Sequence, residues 1–232
     1  MGEVPLGTET HLEKKRARYY RFDRSELIDF FAQHRPFSGR ALDVGCGEGG
    51  LGRELLRRGF TEVHGIEPVP AIADKARADL TTVFEGTFQS VDRDALGAFD
   101  LIIFADSLEH MIDPWAALTQ AREMLTPDGA VLLSVPNVAH WTVLWRALKL
   151  GRWDYTDEGL LDRTHLRFFT PATLVESLRA AGFLVLASKG REKPLPKNRR
   201  WVRPVLKRLW PHVLVFQEYI VAVPSEGIVS KQ

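Results

Sequence analysis

From residue 40 onward, apolar positions in this chain follow two rhythms. Short β-rich runs occupy 41–44, 62–66, 82–84, 101–104, 130–135, 183–187 and 213–223. Between several of them lie longer stretches with helical spacing, at 50–58, 70–79, 114–125 and 171–181. Strands of this kind alternating with helices predict a mainly parallel sheet covered on both faces. Pro70, Pro114 and Pro171 open three of the helices, where a missing N–H costs nothing, and Gly59 and Gly182 stand where C-caps belong. Ahead of the sheet, 12–34 reads as a helical lid with Leu27, Ile28, Phe30 and Phe31 available to the core. A long insertion, 136–170, follows the fifth strand run, and loops at strand ends are where substrate sites are built. The expected organisation is a lid at 1–38, a central α/β domain at 39–190 that carries the insertion, and a tail at 191–232. That tail supplies a basic segment and the final strand of the same domain.

Composition narrows this picture without redirecting it. A length of 232 residues suits one elaborated α/β domain, and 45% apolar with 26% charged residues is an ordinary globular balance. A net charge of +1 gives no global field toward nucleic acid or acidic surfaces. The single cysteine, Cys46, excludes an internal disulfide framework and fits a reducing compartment, so the expected location is cytoplasmic. Residues 1–18 are polar and basic, unlike a secretory signal. The late apolar run carries Gln217 and Glu218 and is too short to span a bilayer.

The sharpest chemical signal is Ala41-Leu42-Asp43-Val44-Gly45-Cys46-Gly47-Glu48-Gly49-Gly50, a strand entering a glycine-rich turn that opens a helix. Such glycines let a ligand approach bare backbone, and Glu67 follows at the spacing of a ribose-binding carboxylate. Gly45, Gly47 and Gly50 also satisfy the dinucleotide spacing, which leaves a nicotinamide cofactor open. Asp43 and Glu48 weigh against a pyrophosphate and toward a ligand with an amino group and a sulfonium cation. Cys46 reads as a small residue in a crowded turn, since no activating base is near it in sequence.

With these motifs in order, the stretch 19–190 resembles the class I S-adenosylmethionine-dependent methyltransferases. The run 41–49 looks like their first motif, His64-Gly65-Ile66-Glu67-Pro68 like the acidic second, and 99–106 like the fourth. Residues 124–130 look like the turn into the fifth strand. The resemblance implies a Rossmann-like three-layer sandwich with a mainly parallel seven-stranded sheet whose last strand is antiparallel. It places Asp43, Gly45, Cys46 and Gly47 against the methionine part of the cofactor, Glu67 and Pro68 at the ribose, and Asp106 among the cofactor contacts. Where an acidic residue commonly follows the third strand this chain has Thr87, so adenine falls to Thr87, Phe88 or backbone. Tyr19, Tyr20 and Arg21 resemble a lid over the cofactor, and ordinary helix-surface positions are the other reading.

On the acceptor side, a hydroxyl group must lose its proton, which calls for a general base or a metal. Asp106-Ser107-Leu108-Glu109-His110 and Asp162-Arg163-Thr164-His165-Leu166-Arg167 resemble blocks of ubiquinone-type and small-RNA O-methyltransferases. The resemblance makes Asp106, Glu109, His110 and His165 candidate ligands of a divalent metal, with aspartate standing where that family has glutamate. Three readings stay open: His110 or His165 as base with Asp106 beside them, a metal site, or simple capping by Glu109 and His110. Arg163, Arg167 and Trp141 are candidate acceptor contacts, the arginines because guanidinium groups bind anions bidentately. Tryptophans and apolar residues spaced among basic ones at 141–149 and 199–210 fit either core packing with a solvated basic face or a membrane interface. Nothing resembles a base-reading module, so nucleic acid is not an expected partner. The functional reading is methyl transfer to a hydroxyl of a small-molecule, glycan or lipid-linked acceptor. An NAD(P)-dependent oxidoreductase and a non-catalytic cofactor-binding regulator are the alternatives.

Overall fold

The computed structural model describes residues 24–92, 96–193, 195 and 201–225. Its strands are β1 (Arg40–Val44), β2 (Glu62–Glu67), β3 (Thr82–Glu85), β4 (Phe99–Ala105), β5 (Leu125–Pro136), β6 (Phe183–Glu192) and β7 (Val215–Pro224). They form one seven-stranded sheet in the order β3-β2-β1-β4-β5-β7-β6. Neighbours from β3 through β5 pair in parallel, whereas β7 runs antiparallel to both β5 and β6. The 215–224 tail is thus an internal strand.

Around it lie α1 (Ser25–Ala32), α2 (Gly50–Arg58), α3 (Pro70–Ala76), α4 (Pro114–Glu123), α5 (Trp141–Leu150), α6 (Pro171–Ala180) and α7 (Arg203–Leu209). Strand β4 shows why the sheet must be covered twice. Ile102 and Phe104 enter one core with Ala117, Leu118 and Ala121 of α4 and Leu174 and Leu178 of α6. Leu101 and Ile103 enter the other with Leu27 and Phe31 of α1, Leu51 and Leu55 of α2, and Ala73 and Ala76 of α3. Each such leucine or phenylalanine, fully buried, contributes roughly 1.5–3 kcal/mol.

Departures from the sequence expectation have local causes. Helix α3 stops at Ala76, and the turn after it drops Leu80 into the core. Strand β5 begins at Leu125 because Phe99 pairs with Leu125 before the register shifts to Leu101 with Ala130. Within the insertion, α5 is followed by a loop tied down by bridges between Asn137 and Phe169 and between Thr156 and Asp162. Core packing of the two Trp-containing stripes is overturned. Of α5 only Val143 is buried, while Trp145, Leu148, Leu150, Trp201, Val205, Leu209 and Trp210 are exposed. No helix among the described residues is long and apolar enough to cross a membrane.

Candidate active site

The glycine turn sits at the carboxyl end of β1, in the centre of the sheet, where the strand order reverses direction, the position at which open α/β sheets bind ligands. Gly45, Gly47 and Gly49 have φ of 81°, 56° and 82°, a left-handed backbone that a side chain would strain. The loop is held to β2 by bonds from Gly45 N and Cys46 N to the Ile66 carbonyl, at 2.8 and 3.1 Å. Glu67 faces it: one carboxylate oxygen accepts from Gly47 N at 3.1 Å and the other from Val69 N at 3.0 Å. A Cβ on Gly65 would lie 2.5 Å from Cys46 Sγ, so β2 packs backbone to thiol against the turn. Burial, opposed by the charge of Arg24 and reinforced by Glu67, pushes the Asp43 carboxyl up to about 7. Burial also raises the Cys46 thiol, which removes it as a nucleophile at neutral pH.

A second cluster lies beyond β4. The short 3₁₀ turn Leu108–His110 is clamped to the insertion because the Glu109 carbonyl accepts from both Leu166 N and Arg167 N, at 2.8 and 3.0 Å. Ligand atoms of Glu109, His110 and His165 lie within 4.8 Å of one another, and the two imidazole centroids are 4.8 Å apart. His110 Nδ1 lies 3.0 Å from the Thr164 carbonyl and His165 Nδ1 lies 3.2 Å from the Leu160 carbonyl. A carbonyl only accepts, so both Nδ1 atoms carry hydrogen, and in the neutral rings the lone pair is on Nε2. The Glu109 side chain is 2% exposed, and neither of its oxygens has a hydrogen-bond partner. Burial first, and the charge of Asp106 second, raise its carboxyl well above the usual range. Burial and His110 lower His165, keeping that ring neutral.

The family model described as a methyltransferase domain matches residues 12–188. This chain belongs to the class I S-adenosylmethionine-dependent methyltransferases. It is 34% identical over 175 residues to a ubiquinone biosynthesis O-methyltransferase of Azorhizobium caulinodans, covering 70% of this chain and 67% of that one. It is 31% identical over 172 residues to the protein of that name from Cereibacter sphaeroides, covering 67% and 64%. The match therefore spans about two thirds of those relatives' length. A solved S-adenosylmethionine-dependent methyltransferase of Archaeoglobus fulgidus superposes with a TM-score of 0.66 at 15% identity, covering 92% of this chain and 99% of that one. Its likeness is one of fold. The family decides between the two cofactors that glycine spacing had left open.

Not every residue expected at the methyltransferase's site is there. Phe88 is corrected: its ring is 1% exposed and packs edge-on to Phe104 in the core, with no face left for adenine. Thr87 and Pro68 are exposed at the carboxyl ends of β3 and β2, and Tyr20 lies outside the described residues. Asp106 is corrected as a metal ligand. It stands outside the converging trio, its carboxylate bonded instead to Arg24, Ser134 and Gln217. Arg163 pairs with Asp157 on the surface. Arg167 lies beside the trio, its guanidinium 5.9 Å from the Trp115 ring and its buried Nε without a partner. Trp141 opens α5, its N–H on the Val213 carbonyl and its ring against His140. Sequence reading missed Arg24, Ser134 and Gln217. Arg24 gave no signal among other basic residues, but Gln217 interrupts an apolar run and could have been found by it.

Proposed function

We propose that this methyltransferase transfers the methyl group of S-adenosylmethionine to a hydroxyl oxygen of a small acceptor, with the cofactor on the glycine turn and His110 as the general base. The observation that carries this reading is the Glu109, His110 and His165 cluster, two imidazoles with Nδ1 on backbone carbonyls and a buried carboxyl with orphaned oxygens. The name of the relatives, O-methyltransferases, supports oxygen as the acceptor atom.

In the reaction, the acceptor oxygen attacks the methyl carbon in line as the carbon–sulfur bond breaks. The bonding pair goes to sulfur, and S-adenosylhomocysteine leaves as a neutral thioether. Much of the acceleration comes from alignment in a closed site. Asp43, Gly45 and Gly47 bind the methionine part and Glu67 the ribose hydroxyls, while Nε2 of His110 takes the hydroxyl proton. His110 is preferred to His165 as base because it is less buried. The Glu109 carbonyl, by accepting from Leu166 N and Arg167 N, keeps the two rings edge to edge. A divalent ion fits the same donors: orphaned carboxylate oxygens with two Nε2 atoms whose Nδ1–H groups are anchored on carbonyls. Such an ion would use His110 Nε2 as a ligand in place of its role as base, and would itself lower the hydroxyl's pKa.

Arg167, with its unpartnered Nε, suits an acid group on the acceptor better than the paired Arg163. The exposed apolar side chains of α5 and α7, interspersed with Arg146, Lys149, Lys207 and Arg208, suit an acceptor presented at an anionic lipid surface.

Parallel calorimetric titrations with S-adenosylmethionine, S-adenosylhomocysteine and NAD, each with and without Mg²⁺ or Zn²⁺, test the core of this reading. Binding of both adenosyl ligands and not NAD is expected. His110→Ala should keep that binding and lose turnover in a screen of phenols and lipid-linked hydroxyls. Unchanged turnover in His110→Ala sinks the base assignment, and absence of turnover with every acceptor would favour a cofactor-binding regulator.

A further inference from the structure

One turn of the insertion, 159–165, supplies the carbonyls on which both imidazoles rest. Leu160 O faces His165 Nδ1 at 3.2 Å, and Thr164 O faces His110 Nδ1 at 3.0 Å. Asp162 is buried and organises that turn. Its Oδ1 accepts from Thr164 N at 2.9 Å and from Thr164 Oγ1 at 2.7 Å. A side chain that bonds the backbone two residues on makes an Asx turn, which aspartate and asparagine both form. The main chain of Asp162 closes the rest: its N–H donates to Gly159 O at 3.2 Å, and its carbonyl accepts from His165 N at 3.0 Å. The planar peptide that joins Thr164 to His165 is thus held at both ends, its N–H on the Asp162 carbonyl and its own carbonyl opposite His110. This matters for the tautomer. A neutral histidine free of such contacts carries its hydrogen mainly on Nε2, and a carbonyl opposite Nδ1 reverses that preference.

We propose that Asp162 is a positioning residue that, through the Thr164 carbonyl, keeps His110 in its Nδ1–H tautomer and so leaves Nε2 able to take a proton. The catalytic consequence rests on the function proposed above, with His110 as base; the tautomer itself does not. Asp162 acts at one remove, by fixing the carbonyl that fixes the ring. What the turn asks of Oδ1 is that it accept two bonds, which the amide oxygen of an asparagine also does, so the role is one of shape and not of charge. An imidazole released from that carbonyl loses both its tautomer and its direction, and a general base depends on both.

The experiment labels the histidines of the full chain with ¹⁵N and reads by NMR which ring nitrogen of His110 carries hydrogen, at a pH where the ring is neutral. His110→Gln identifies the signals, and thermal unfolding of each variant is recorded alongside. The wild type is expected to carry the hydrogen on Nδ1. Asp162→Ala should move His110 toward the Nε2–H form and lower turnover at least about tenfold, while affinity for S-adenosylmethionine changes by less than about threefold. Asp162→Asn should keep the Nδ1–H form and hold turnover within about threefold of the wild type. Thr164→Val removes only the 2.7 Å hydroxyl bond, should shift the tautomer in the same direction by less, and serves if Asp162→Ala does not fold. A role in stability alone would leave the tautomer of a folded variant where it was. The Nε2–H form in the wild type, or the Nδ1–H form fully retained in folded Asp162→Ala and Thr164→Val, overturns the proposal. It also falls if His110→Ala is inactive while a tautomer-shifted Asp162→Ala turns over as the wild type does. A shifted tautomer together with a fully active His110→Ala would uphold the positioning and defeat the base assignment instead.

Discussion

On the proposed placement of the cofactor, stability and binding pull against each other at Asp43. Its carboxyl is pushed up to about 7 by burial, so the folded, ligand-free protein holds a proton that the unfolded chain has already released above the ordinary aspartate value of 3.8. The folded state binds more protons between those two values, so stability falls as pH rises through that window and levels off above about 7. Asp43→Asn should therefore raise the melting temperature of the ligand-free protein at pH 7.5. A gain of about 1–2 kcal/mol corresponds to roughly 2–8 °C for a chain of this size. The same change should weaken S-adenosylmethionine about tenfold or more by removing the charge opposite its cation. In the wild type, donor affinity should increase from pH 6 to 8 as Asp43 ionises, with proton release visible by calorimetry in buffers of different ionisation heat. A flat profile would detach Asp43 from the cofactor. For Glu109 the readout is metal: Glu109→Gln removes the charge that would hold the ion, so any rise in melting temperature on adding Zn²⁺ or Mg²⁺ to the wild type should vanish in the variant.

At the level of elements, the site depends on how closely β2 approaches the glycine turn. Gly65 has no room for a methyl group, with Cys46 Sγ 2.5 Å and Leu80 Cδ1 2.8 Å from where its Cβ would be. Gly65→Ala should destabilise the fold by about 1–3 kcal/mol, the usual range for overpacking a core. Because the turn itself must move, donor affinity should fall as well, and combination with Cys46→Ala should restore part of both. A Gly65→Ala protein with normal melting and normal affinity would show that this contact is slack. The sequence announced this element well: the strand 41–44, the glycines and Glu67 lie within 27 residues, and local spacing specifies their relation. It announced the acceptor side less well. His110 and His165 are both conspicuous as residue types, yet their meeting depends on two backbone bonds from 166 and 167 to Glu109, which no local pattern predicts.

The whole molecule presents α5 and α7 as amphipathic helices whose apolar residues face outward. Substituting Trp145 and Leu148 together by serine should leave the melting temperature within about 1 °C, because exposed positions contribute little to stability. The same variant should lose co-sedimentation with vesicles of mixed zwitterionic and anionic phospholipid, and the wild type's binding should weaken with salt. Wild-type protein that stays in the supernatant at low salt would remove the lipid surface from the account. Several basic side chains here are already engaged, Arg146 with Asp154 and Arg203 and Lys207 with Glu192, so apolar contact must supply most of any attraction.

Alternating apolar runs, proline-opened helices and the glycines after the first strand determined by themselves the α/β class, the parallel core of the sheet and the tight turn that opens the second helix. These depend on periodicity and on backbone conformations that only certain residues adopt. Tertiary structure alone decided that Phe88 is core, that Asp106 turns from the histidines toward Ser134 and Gln217, and that Arg24 closes over it. Those outcomes join residues up to 111 positions apart. They are set by which side chains the sheet order brings to one edge, and so by the burial of the entire chain.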